Sequence, residues 1–95
     1  MRISIEFTRV LSQARKLEDQ ANALRGEAKH ISEIISEIAG AWTGEAAEKY
    51  LEKCSRYQEK ISRTANELEQ TASTLRTTAR RLQEAEERAA EQSKW

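Results

Sequence analysis

The sequence predicts an all-α fold, an antiparallel two-helix hairpin that pairs into a four-helix bundle dimer. Three observations carry the prediction. Charged residues make up 34% and apolar residues 38% of the 95 positions, with 3 Gly and no Pro, a composition typical of long helices and coiled coils. Apolar residues recur at heptad spacing through both halves, and the only closely spaced glycines fall between those halves. Aromatic residues are just 5%, so a chain this short lacks the bulk for a conventional globular core and is expected to find shelter against another molecule.

The first element is a helix over about residues 4–39. Ile3, Val10, Leu17, Leu24, Ile31 and Ile38 are spaced by seven, and Phe7, Ala14, Ala21, Ala28, Ile35 and Trp42 follow each by four. That is an a/d pattern over six heptads. Gly26 lies inside it, as a local weak spot or a close-packing position. The turn comes next, over 40–44. Gly40 is expected to end the first helix in a left-handed conformation, Thr43 or Gly44 to cap the second, and Glu45 to sit at its positive N-terminus.

The second helix spans about 45–90, with a stripe of Ala47, Cys54, Ile61, Leu68, Leu75, Leu82 and Ala89 and a companion line of Leu51, Ala65, Ala72 and Ala79. In an antiparallel hairpin, facing residues have indices of constant sum. A sum of 85 sets Ile38 against Ala47, Ile31 against Cys54, Leu24 against Ile61, Leu17 against Leu68, Val10 against Leu75 and Ile3 against Leu82. The same sum matches Ile35 with Tyr50, Ala28 with Tyr57 and Ala14 with Thr71. Residues beyond about 83 then have no facing level and overhang as a tail to 95, the whole forming one domain.

Two helices shield only part of each other's stripes. Leu51, Leu11, Ile34, Tyr50 and Tyr57 are expected to stay wet in a single chain, so two hairpins should pair, with the small residues at 14, 21, 28, 65, 72 and 79 permitting their close approach. The core or dimer-packing residues are therefore Val10, Leu17, Leu24, Ile31, Ile35, Ile38, Tyr50, Leu51, Tyr57, Ile61, Leu68, Leu75 and Leu82.

Charge and chemistry narrow the function. Sixteen basic residues balance sixteen acidic ones, six against six before Gly44 and ten against ten after it, so neither half has the basic excess that nucleic acid selects. Apolar runs never exceed two or three residues, which argues against stable membrane insertion and against a cleavable signal. The single Cys54 forms no internal disulfide. His30 reads as a solvated helix-face residue and Cys54 as a small apolar stripe residue; neither has the partners of a metal site or a catalytic pair. A di-metal bundle needs inward carboxylates, and the inward positions here are apolar. Spacings of four between Glu45 and Lys49, Glu52 and Arg56, Glu59 and Arg63, and Glu84 and Arg88 suit solubility and weak helix support. Arg76, Arg80 and Arg81 form a small basic patch. The expectation is a protein with no catalytic residues, metal or cofactor that acts by recognition.

Trp42-Thr43-Gly44, at the midpoint between two heptad helices, resembles the WXG family, small helical-hairpin substrates of bacterial type VII (ESX-like) secretion related to the early secreted antigen of mycobacteria. The resemblance covers nearly the whole chain. It implies that Trp42 and Gly44 form a secretion motif and that the protein is cytoplasmic before export and then secreted without a cleavable signal. It also implies a partner, which is a second copy, a paralogous WXG-like chain or an LXG-type toxin, and delivery to the type VII secretion ATPase, with a role in virulence or interbacterial competition. Family members usually carry a Tyr-x-x-x-Asp or Tyr-x-x-x-Glu signal after the second helix. Here no tyrosine follows Tyr57 and the late aromatic is Trp95, so a partner supplies that signal, a degenerate one is read, or the chain is a targeting chaperone or adaptor for a larger toxin with a helical leader.

Overall fold

A computed structural model describes residues 3–93, with side chains from Glu6 onward; Trp95 and the side chain of Ile3 lie outside the described residues. The chain forms two helices, α1 (Ile3–Ala41) and α2 (Glu45–Gln92), joined by the turn 42–44 in a helical hairpin. Ala, Leu, Glu, Lys, Arg and Gln dominate both segments, so intrinsic propensity and apolar periodicity agree. Glu45 and Glu48 occupy the first turn of α2, where the helix dipole favours a negative charge. Both helices extend a little beyond the spans read from the heptads.

The hairpin divides into two compact units, one of Gln20–Glu67 around the turn and one made of the chain up to Asp19 together with the part from Leu68 onward. In the turn unit Ala28, Ala47 and Ala65 are 6%, 1% and 0% exposed, while Ile31, Ile35, Ile38, Leu51 and Ile61 are only half-buried. In the other unit the buried residues are Phe7, Ala14, Ala72 and Ala79, and Val10, Leu17, Leu68 and Leu75 are half-buried. The innermost lines of both helices are thus made of alanine. A helix pair touching through alanines brings its backbones close and leaves the longer Leu and Ile chains to close over the edges.

The alanines also reset the register. Around the turn Arg25 Nη2 donates to Asn66 Oδ1 at 3.1 Å and Trp42 packs on Tyr50, pairs whose indices sum to 91 and 92. In the other unit Arg76 binds Glu18, which sums to 94. The buried alanines fit the same range, Ala28 and Ala65 summing to 93 in one unit and Ala14 and Ala79 summing to 93 in the other. The expected sum of 85 is therefore wrong by roughly one heptad. About two residues of the difference arise because each side chain leans toward its own helix N-terminus. The remainder has a packing cause: at 85 Ala28 would face Tyr57 and Ala14 would face Thr71, whereas the observed register lays alanine on alanine. The small residues assigned above to the approach of two hairpins are used inside one. With the longer register the overhang shrinks: Ala79 is buried and Glu86 half-buried, and the exposed end of α2 is 87–92.

The Glu18–Arg76 bridge is a polar link between the helices. Arg76 Nε donates to Glu18 Oε2 at 3.0 Å and Nη2 to Oε1 at 2.5 Å, a fork on a carboxylate. These hydrogen bonds, with the charges of Arg76 and Arg15, hold the Glu18 carboxyl below its usual range and raise Arg76 in turn. Arg76 is thus committed to Glu18 and is not part of a free patch with Arg80 and Arg81.

Candidate recognition site at the turn

The turn is built by two backbone hydrogen bonds and one glycine torsion. The Trp42 N–H donates to the Ile38 carbonyl at 2.8 Å, closing the last turn of α1. Gly40 is consequently inside the helix and does not terminate it as expected. The reversal falls at Gly44, whose φ of +115° lies in the region that side chains with a Cβ avoid. Its carbonyl then accepts the Glu48 N–H at 3.0 Å and opens α2. Gly26, by contrast, has open space where a Cβ would stand, so it is not a close-packing position.

This geometry presents Trp42 at the tip. Trp42 is 44% exposed, and its indole sits 6.0 Å, centroid to centroid, from the Tyr50 ring at a tilt of 54°, within the range of favourable tilted aromatic pairs. Tyr50 and Tyr57 are themselves 59% and 63% exposed, and Ile34 is 39% exposed. One heptad separates the tyrosines, and Ile34 and Tyr57 have indices that sum to 91, the register of the Arg25–Asn66 bond. Beside Tyr57, the side chains of Lys53, Arg56 and Lys60 line a shallow depression of about 230 Å³.

The packing residues read from the sequence divide into two groups. Val10, Leu17, Leu24, Ile31, Ile35, Ile38, Leu51, Ile61, Leu68 and Leu75 are half-buried within the chain, and Tyr50, Tyr57 and Leu82 are exposed. Leu51 is drier and Leu82, at 50%, wetter than the expected register implied. Leu11 remains 39% exposed. The lysines beside Tyr57 escape a reading of the sequence by average charge, although their spacing of seven carries the signal.

Elsewhere the polar groups are solvated. His30 stands 3.8 Å from Glu33 on the surface, Cys54 is a half-buried free thiol, and Lys49–Glu45 and Arg56–Glu52 pair at 3.8 and 3.1 Å. The other spacings of four, Glu59/Arg63 and Glu84/Arg88, do not close into ion pairs. Among the described residues no three His, Cys, Asp or Glu side chains cluster closely enough to hold a metal ion. No described helix is long and apolar enough to cross a membrane.

Two amphipathic helices joined by an exposed Trp-x-Gly turn make a small helical hairpin. The chain belongs to the WXG100 family, proteins of 100 residues with WXG, which it matches over residues 2–87. Membership implies a small helical protein of type VII secretion, from a family exported without signal peptides, associating as homodimers or heterodimers and not known as enzymes. No curated protein and no solved structure matches the chain significantly.

Proposed function

We propose that the protein is a type VII secretion substrate or co-secreted partner that works as half of a four-helix bundle, with the Trp42/Gly44 turn as the feature the secretion ATPase reads. The observation that carries this reading is the exposure of Trp42 at a turn whose backbone does not need the indole. A tryptophan that served only to pack would be expected to be covered by the helix ends. In an antiparallel pair of hairpins, the turn of one chain stands beside the end of its partner's α2, so the recognised surface is composite.

The half-buried Leu and Ile chains, with exposed Ile34, Leu11, Tyr50 and Tyr57, are the residues that a second hairpin would cover. That hairpin is a second copy, a paralogous chain or the helical leader of a toxin, and the function is docking without chemistry. The test replaces Trp42 with alanine and follows both export from the producing cells and the molar mass of the purified protein. The expected result is at least a tenfold loss of export with mass and helicity retained. Normal export of Trp42→Ala would remove the turn from the mechanism.

A further inference from the structure

We infer that the surface around Tyr57 takes a distinct helical chain that is acidic along the flank it presents to Lys53 and Lys60, in preference to a second copy of this protein. The inference rests on the pairing of hairpins proposed above and names the chemistry of the partner.

Three cations, Lys53, Arg56 and Lys60, surround the depression beside Tyr57. Arg56 is held by Glu52 at 3.1 Å. Neither lysine enters an ion pair among the described residues. The adjoining surface is apolar, with Ile34, Tyr50 and Tyr57 all between 39% and 63% exposed. Unpaired positive charge along the edge of an exposed aromatic surface is the arrangement of an interface whose rim selects the partner.

The lysines belong to that edge by helical geometry. With about 100° between successive residues, Tyr50 and Tyr57 lie roughly 60° round α2 from the Cys54/Ile61 stripe, and Lys53 and Lys60 roughly 40° further in the same direction. Any helix laid over the tyrosines therefore brings its own flank against the two lysines.

A second copy supplies the wrong flank. The heptad position of Lys53 and Lys60 continues along α2 as Glu67, Thr74, Arg81 and Arg88, and both arginines are exposed. If this edge of α2 met its own counterpart in parallel, lysine would face lysine. If the two ran antiparallel, with the turn of one chain near the helix end of the other, Lys53 and Lys60 would approach Arg81 and Arg88. Both arrangements set like charges together across a rim, which disfavours self-pairing and leaves an acidic flank as the complement. The overall charge balance of the chain hides this, because every acidic residue of α2 except Glu67 lies at another heptad position.

The experiment uses the full chain as its own probe. Wild type is mixed in equal amounts with the variant Lys53→Glu/Lys60→Glu/Arg81→Glu/Arg88→Glu, helicity is checked by circular dichroism, and native mass spectrometry counts the two self-dimers and the mixed dimer. At low salt, about 50 mM, the ratio of mixed to self-dimers should exceed the random value at least tenfold, and it should fall toward random at about 500 mM as the charges are screened. A random ratio at low salt overturns the inference and leaves hairpin pairing standing. Monomers alone in every mixture overturn the pairing reading and the inference with it. The neutral variant Lys53→Gln/Lys60→Gln/Arg81→Gln/Arg88→Gln adds a check that does not depend on acidic residues. It should self-associate about tenfold more tightly than wild type at low salt, and an unchanged Kd counts against the charged rim.

Discussion

Gly44 and Gly26 show two glycines of the same sequence under opposite constraints. At Gly44 the φ of +115° makes a Cβ strained even though nothing crowds the position. Gly44→Ala should therefore lower stability by about 1–2 kcal/mol. Gly26 is helical and open, so Gly26→Ala should raise stability by about 1 kcal/mol; urea denaturation of the two variants checks both signs. Glu18 supplies a pH-dependent contribution. Because the Arg76 hydrogen bonds lower its pKa in the fold, the stabilisation is present above the pH range of a free glutamate and is lost as pH falls through the lowered value. Between pH 7 and pH 3 the denaturation midpoint of wild type should consequently fall further than that of Glu18→Gln. Parallel curves for the two proteins would show that the bridge contributes nothing.

The helices, as elements, were legible in the sequence to within a few residues at each end, because composition, heptads and the paired glycines all agree. Their register was not. A reading that ranks stripes by size places Leu24, Leu68 and Leu82 at the centre, yet the structure half-buries the first two, exposes the third and buries Ala14, Ala28, Ala65 and Ala79. Periodicity reports which residues share a face and not how far two faces slide along each other; the slide is decided by which small residues nest together, and by long polar links such as Arg76 to Glu18. Turn chemistry was also half legible, since either glycine is able to end a helix and only the backbone reveals that Gly44 does the turning. The alanine contact makes a prediction that reverses the usual ranking. Ala65→Leu, which overpacks a site with 0% exposure, should destabilise by about 1–3 kcal/mol. Leu68→Ala, at a half-buried site, should cost less than the 2–5 kcal/mol of a fully buried leucine. Thermal unfolding of the two variants compares them directly, and a larger loss for Leu68→Ala would return leucine to the centre of the helix pair.

For the whole molecule, the same packing leaves apolar side chains uncovered on a single hairpin. Alanines bury little area each, so closing the helix pair through them leaves the Leu and Ile chains half-covered and the tyrosines outside. In the proposed bundle a second hairpin would supply the missing cover and leave the tip with Trp42 available to the secretion machinery. The most direct test of that claim is the molar mass of the purified chain by light scattering over a wide dilution range, at about 500 mM salt so that the basic rims are screened. Wild type should approach twice its 10.9 kDa at high concentration, whereas Tyr50→Glu/Tyr57→Glu should stay near 10.9 kDa with unchanged helicity. Equal masses for the two proteins at every concentration would contradict the account, because the exposed aromatic surface would then have no part in assembly.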